Sequence, residues 1–317
     1  MLTVTPRAGC VPDRVATVIG GMTIAPRTLT INGKDINTLA TAIAERVLFY
    51  RKGDVIMSPL PVQPGSFARL REFKHKLISR YGPHPIPRTP LEFVESYKGR
   101  KRTIYMNALE KFGAGVDESH AAVIAFVKAE KVVHGKAPRV IQPRSPVYNI
   151  GLGTYLKHIE HDVYNAIARV FKQDIVVAKG LNVRQLGGHM RKMWNSVPDP
   201  CFVGFDASRF DMHVTVDALK WEHSCYNTLY RGDKELKRLL SMQLYTRGRG
   251  YAEDGKLKYK VEGRRMSGDM NTAMGNCLIV CGIVYQYMST HFSIYKFLDN
   301  GDDCGVIISQ GDLHKMA

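Results

Sequence analysis

Apolar residues recur at helical spacing in several stretches of the chain. Ile36, Leu39, Ala40, Ile43 and Val47 keep the three-to-four-residue step of a buried helix face. Phe67, Leu70, Phe73, Leu77 and Ile78 do the same, with Arg69, Arg71, Lys74 and Lys76 between them, and predict a basic amphipathic helix. Tyr155, Ile159, Val163, Ala166, Ile167 and Val170 predict one long amphipathic helix. Thr89, followed by Pro90 and then by Glu92 three residues on, is a capping box that opens a helix through Tyr97. The stretch from Cys277 to Met288 is apolar apart from Gly282 and Gln286 and reads as a buried helix, too short for a bilayer, which needs about 20 residues.

Strand signals are shorter. They fall near 122–128 and 138–142, at Phe202–Phe205, and on both sides of Asn300-Gly301-Asp302-Asp303, where Ile294–Leu298 and Cys304–Ile308 predict a hairpin. Val15–Ile19 and Met22–Ala25 flank Gly20-Gly21, another two-residue hairpin signal. Prolines at 59–64 and at 83, 85, 87 and 90 enforce extended or turn backbone and mark ordered connectors. No internal repeat is present, helices dominate the first 200 residues, and the class is α+β.

Composition narrows the classes. The 317 residues allow one large or two medium domains, and 44% hydrophobic residues exclude a disordered or low-complexity chain. Lys and Arg number 45 against 29 Asp and Glu, a net +16 that points to a polyanionic partner, nucleic acid or an acidic membrane surface. Residues 51–144 hold 18 basic and 8 acidic residues, so +10 of the excess sits in the middle third, as expected of a region facing phosphate. The six cysteines (10, 201, 225, 277, 281, 304) include no CxxC, and MLTVTPRAGC lacks a secretory layout, so the expected compartment is a reducing cytosol. No GxxxxGK[ST] occurs, Gly151-Leu152-Gly153 lacks the third glycine of a dinucleotide fingerprint, and Cys277 and Cys281 have no matching pair for zinc and read as core.

The candidate chemistry lies in carboxylates. Phe202-Val203-Gly204-Phe205 ends in Asp206, and Ala207-Ser208-Arg209-Phe210 leads to Asp211. A continuing strand would point the two acids to opposite faces, whereas a turn into a helix would bring them into one pocket; a helix-capping Asp explains the spacing as well. Asp302-Asp303 reads either as a polar turn or as adjacent acids tolerated because a divalent cation sits on them. Between them, Ser267-Gly268 precedes a helix on which Thr272 and Asn276, four apart, share a face suited to anions or sugar hydroxyls, or simply to satisfying backbone.

Each signal alone is weak, but their order is informative. Strand-ending DxxxxD, then SGxxxTxxxN opening a helix, then strand-GDD-strand resembles the palm of RNA-dependent RNA polymerases. Gly204–Asp211, Arg265–Thr272 and Asn300–Cys304, with the basic segment Phe126–Lys131 through Ala137–Arg144, are similar to the replicases of the Tombusviridae, the tombusvirus and carmovirus group of plant positive-strand RNA viruses. The likeness covers roughly residues 90–310.

The resemblance implies a right-hand polymerase, with residues 1–200 as fingers plus an N-terminal extension and 201–317 as the front of the palm with an interleaved fingers segment, an antiparallel sheet with flanking helices; the thumb of that pattern is expected to be missing here. It implies attack of a primer 3′ hydroxyl on the α-phosphate of a nucleotide, with Asp206, Asp302 and Asp303 as catalytic metal ligands for Mg²⁺ or Mn²⁺. Asp211, Ser267, Gly268, Thr272 and Asn276 are implied in ribose selection, and Lys128, Lys131, Lys136 and Arg139 in neutralising the triphosphate. The implied partners are RNA template and product, nucleoside triphosphates, a viral auxiliary replicase protein and host factors. The implied place is the host cytoplasm, with recruitment to membrane-associated replication complexes through regions or partners outside this chain.

Only 14 residues follow Asp303, whereas such polymerases continue through the palm into a thumb; the expectation is therefore an incomplete polymerase that extends primers poorly. A reverse transcriptase would place an aromatic before the paired acids, where Gly301 stands. From another class, a basic RNA-binding replication accessory without catalysis would explain the charge but not the apposed acids.

Overall fold

A computed structural model describes residues 1–10, 29–59, 61–133 and 135–316, so the hairpin expected around Gly20-Gly21 lies outside the described residues. In chain order the strands are β1 (Leu2–Pro6), β2 (Leu29–Ile31), β3 (Tyr50–Lys52), β4 (Val55–Met57), β5 (Val123–Val127) and β6 (Lys131–Val133). They continue with β7 (Val140–Ile141), β8 (Pro200–Asp206), β9 (Tyr245–Ala252), β10 (Gly255–Glu262), β11 (Lys296–Asp299) and β12 (Asp303–Ser309). A five-stranded sheet runs β1-β10-β9-β5-β7 and a three-stranded antiparallel sheet runs β11-β12-β8. The larger sheet is mixed, because β5 and β9 pair in parallel. Helices pack against both sheets.

Most expected elements are present, with shifted limits. The apolar spacing at 36–47 forms a helix over Ile36–Ile43 and a wider turn over Ala44–Leu48, and it fills the space under the larger sheet with Val123, Ala125, Leu257 and Tyr259. Thr89 closes its capping box, its hydroxyl accepting from the Glu92 amide at 3.2 Å while its own amide donates to Glu92 Oε2 at 2.7 Å. That helix ends at Glu95 rather than Tyr97, and the basic patch at 98–102 becomes the first turn of the next helix, Gly99–Phe112. The apolar helix extends over Thr272–His291 at the centre of the largest core cluster.

One expectation needs correction, and one hairpin was not foreseen. The single helix expected across 155–170 is two, Pro146–Leu156 and Glu160–Val170. Ser145 caps the first, with Pro146 at its first position, and Glu160 and Asp162 begin the second, so the apolar spacing carries across a break because both helices bury the same core. The β9–β10 hairpin was not expected from the sequence. On its buried face stand Gly248 and Gly250, where period-two patterning would look for large apolar residues. A Cβ at Gly248 would lie 2.0 Å from the Tyr259 ring, and one at Gly250 2.6 Å from Leu39, so neighbouring side chains fill the room.

Candidate active site

β8 and β12 lie side by side in antiparallel register, which sets Asp206 directly opposite Asp303. Asp302 occupies the tight turn from β11 to β12, where Gly301 takes φ +97°, a conformation that favours glycine, and the Asn300 amide donates to the Asp303 carbonyl at 2.9 Å. Lys179 Nζ braces the same turn by donating to the Asn300 carbonyl at 3.0 Å. After Asp206 the chain turns sharply, with Arg209 at φ +56°, into a short helix over Phe210–His213. Asp206, Asp211, Asp302 and Asp303 thereby line one cavity of about 670 Å³, and Asp211 is not turned away as a continuing strand would require.

The same cavity is rich in cations. Lys128, Lys136 and Arg139, singled out by sequence, line it together with Arg46, Arg209 and Arg264, which were not. Burial and the neighbouring Arg209 and Arg139 hold the Arg46 guanidinium below its ordinary value. Arg46 donates to the Ala137 carbonyl and Arg264 to the Val47 carbonyl, both at 3.0 Å. Glu130 sits within this group, 2.9 Å from Lys128 and 3.4 Å from Arg139. Lys131 does not line the cavity: it lies on β6, exposed and paired in register with Ile31.

Asp211 is held by a buried chain of polar groups. Asn276 Nδ2 donates to Asp211 Oδ1 at 3.1 Å, Arg265 Nε donates to Asn276 Oδ1 at 3.0 Å, and Arg265 also pairs with fully buried Glu222. Asn271 donates to Glu222 at 2.6 Å and accepts from Gln243 at 2.9 Å. Gly275 is needed beside this pair, since a Cβ there would stand 2.3 Å from Glu222 Oε1. Burial pushes the Asp211 carboxyl above its ordinary value, the Asn276 bond and Arg265 oppose that, and Asp302 adds to it.

The Ser267-Gly268 loop is packed close. A Cβ on Gly268 would lie 2.5 Å from Pro143 Cα, so only glycine permits this approach. Ser267 Oγ makes long contacts, 3.3 Å from the Gln142 amide and 3.4 Å from the Val140 carbonyl. The Thr272 hydroxyl stands 2.8 Å from the Met266 carbonyl and 3.0 Å from that of Asp269, so it braces the loop. On its other side, Ser267, Gly268, Thr272, Asn276 and Asp302 line a second cleft of about 490 Å³ shared with Lys101, Lys157, Lys179 and Tyr97.

Asp206, Asp302 and Asp303 are exposed, and none pairs with a lysine or arginine among the described residues. As placed, the described side chains form no closed group of three metal-ligating residues. An oxygen-only set of apposed acids, open to water and substrate, suits a hard divalent cation that keeps part of its hydration.

Comparison with known proteins agrees with this geometry. The sequence profile of the family described as viral RNA dependent RNA polymerase matches residues 2–317. The chain is 40% identical over 312 residues to an RNA-directed RNA polymerase of melon necrotic spot virus, a match covering 96% of this chain and 39% of the relative. It is 42% identical over 293 residues to that of tobacco necrosis virus (strain A), covering 90% and 40%, and 40% identical over 293 residues to that of turnip crinkle virus, covering 90% and 37%. The chain thus spans about two fifths of the length of the curated relatives it matches.

Proposed function

The chain belongs to the viral RNA dependent RNA polymerase family, and from that premise we propose that it carries the nucleotide-adding site of an RNA-directed RNA polymerase. The observation that carries the reading is one cavity lined by four carboxylates and seven basic side chains, of which Arg265 is already paired with Glu222. Asp206, Asp302 and Asp303 would hold a divalent cation, Mg²⁺ or Mn²⁺. Such an ion, when bound, offsets charge on the reacting phosphate and on the departing pyrophosphate.

The protein's own groups divide the remaining work. Lys128, Lys136 and Arg139, joined by Arg46, Arg209 and Arg264, neutralise and orient the triphosphate. Asp211 keeps one oxygen for the Asn276 amide and offers the other to the ribose 2′ hydroxyl. Ser267, weakly bonded where it stands, is free to turn to the same sugar. Asn276 and Thr272 act as positioning residues, because their polar atoms are already engaged with Asp211, Arg265 and the loop backbone. A site that hydrogen-bonds the hydroxyl leaves its own groups unpaired when the sugar lacks it, which is the source of ribose selection.

Residues 1–200 then supply fingers with an N-terminal extension, and 201–317 the front of a palm. The joining of β9 and β10 to β1, β5 and β7 supports an interleaved fingers segment within the second part. The cleft lined by Lys101, Lys157, Lys179 and Tyr97 suits the template strand, reaching the nucleotide across the Ser267-Gly268 loop. A viral auxiliary protein, host factors and membrane-associated complexes in the host cytoplasm are the expected setting. Among the described residues no helix is long and apolar enough to cross a membrane.

The test is addition of a single nucleotide to a primer annealed to template RNA, by the chain and by its Asp302→Ala variant. Template-directed, Asp302-dependent addition supports the reading. Addition that persists in the variant contradicts it, and RNA binding without addition or metal binding would favour a non-catalytic accessory.

A further inference from the structure

The outer face of the five-stranded sheet is a second cationic surface, and none of its cations lines the cavity described above. On β9, Tyr245, Arg247, Arg249 and Tyr251 are exposed between buried Thr246, Gly248 and Gly250. On β10, Lys256, Lys258 and Lys260 are exposed between buried Leu257 and Tyr259. The register sets Arg249 opposite Lys258 and Arg247 opposite Lys260. Ile124 on β5 stands beside Arg249, and Thr3 on β1 stands beside Lys258.

Like charges directly opposite each other on neighbouring strands cost stability, so a sheet that stacks two such pairs is using the face for something. None of the five cations forms an ion pair among the described residues. The nearest acids in sequence are committed elsewhere: Glu253 accepts from Lys34 at 2.7 Å, and Asp254 from the Ile36 amide at 2.8 Å. Glu262, opposite Tyr245, sits at one end of the hairpin.

We propose that this sheet face binds single-stranded RNA at a site separate from the nucleotide-adding cavity. Exposed residues two apart on a strand repeat at about 6.8 Å, so each strand presents a row of cations along which a phosphodiester backbone can run. Tyr245 and Tyr251, 61% and 59% exposed, flank the cations on β9, and Phe126, 48% exposed, lies on β5. Such rings stack on unpaired bases, whereas a duplex offers only its phosphates to a flat face. An anionic bilayer would call for apolar side chains ringed by the charges, but Ile124 and Phe126 stand on one flank. A second copy of this chain presents the same charge and is repelled.

The inference goes beyond nucleotide addition and stands without it, so it is tested by binding alone. Fluorescence anisotropy with labelled oligouridylate is read for the wild-type chain, the combined variant Arg247→Gln/Arg249→Gln/Lys258→Gln/Lys260→Gln, and Tyr251→Ala. A control removes four exposed lysines elsewhere, Lys111→Gln/Lys220→Gln/Lys234→Gln/Lys237→Gln.

The sheet variant is expected to lose at least about tenfold in affinity and to flatten the slope of log K against log salt by about 2 to 3. Tyr251→Ala is expected to weaken binding with the slope unchanged. Unaltered affinity in the sheet variant would overturn the proposal, and so would an equal loss in the control. Equal losses on a blunt RNA duplex with no effect of Tyr251→Ala would also overturn it, as would a loss confined to phosphatidylserine vesicles.

Discussion

Asp206 and Asp303 face each other across the β8–β12 ladder, in a register that also pairs Gly204 with Gly305. Two acids brought this close on bare strand ends repel each other unless a cation lies between them, and no lysine or arginine among the described residues supplies one. Cations line the same cavity without pairing with these acids, and a triphosphate would bridge the two sets.

In the proposed reading, Asp211 is the group through which the cavity reads the sugar. Asp211→Ala is expected to lower the preference for ATP over 2′-deoxy-ATP by at least about tenfold, with the loss falling on the ribonucleotide. Competition binding with both nucleotides measures it, and an unchanged preference would remove Asp211 from ribose selection.

Glu130 pairs with both Lys128 and Arg139, so in the proposed reading it competes with a triphosphate for these two cations. Glu130→Gln should therefore tighten nucleoside triphosphate binding by about threefold, the size expected of partly exposed ion pairs. Weaker binding in an ATP titration would mean that Glu130 positions the two cations rather than occupying them.

Glu222 and Arg265 are both fully buried, and Arg265 carries the contact to Asn276. Removing one member of a buried pair leaves the other uncompensated, so Glu222→Ala should lose about 3–5 kcal/mol of stability in urea unfolding. A loss under about 1 kcal/mol would show that water or a neighbour replaces the carboxylate.

Asp299, wholly buried at the end of β11, has its carboxyl pushed up by burial from 3.8 to about 7. The folded chain then holds a proton that the unfolded chain releases, so stability is fully present below about 4 and declines as pH rises to about 7. Asp299→Asn abolishes that dependence. Without metal, its stability relative to wild type should rise by a few kcal/mol between pH 4 and pH 8. Parallel urea curves at the two pH values would contradict the buried-acid reading.

Much of the fold and of the site was legible in the sequence where the parts are local. A strand ending in Asp206, a glycine-bearing turn at Gly301 and a Thr89 capping box each declare themselves within a few residues. The β9–β10 hairpin did not, because two inward positions of β9 are glycines whose space is filled by Tyr259 across the ladder and by Leu39 from the first helix. Arg46 gave no signal either: its neighbours in sequence report only a helix face, and its place beside Arg139 and Arg209 is set by tertiary packing. The basic segment suggested Lys131 as readily as Lys128, and only strand pairing tells them apart. Glu222 lies 43 residues from Arg265, so no local pattern could announce their pair.

The central claim is that Asp206, Asp302 and Asp303 form a metal-dependent nucleotide site. Electron paramagnetic resonance of Mn²⁺, titrated with ATP present, tests it on the chain and on Asp302→Ala. The wild-type chain should bind the ion more tightly with ATP than without, and Asp302→Ala should lose at least about tenfold of that affinity, or about 1.4 kcal/mol, while oligouridylate binding stays intact. Equal Mn²⁺ and ATP binding by the two proteins would contradict the claim.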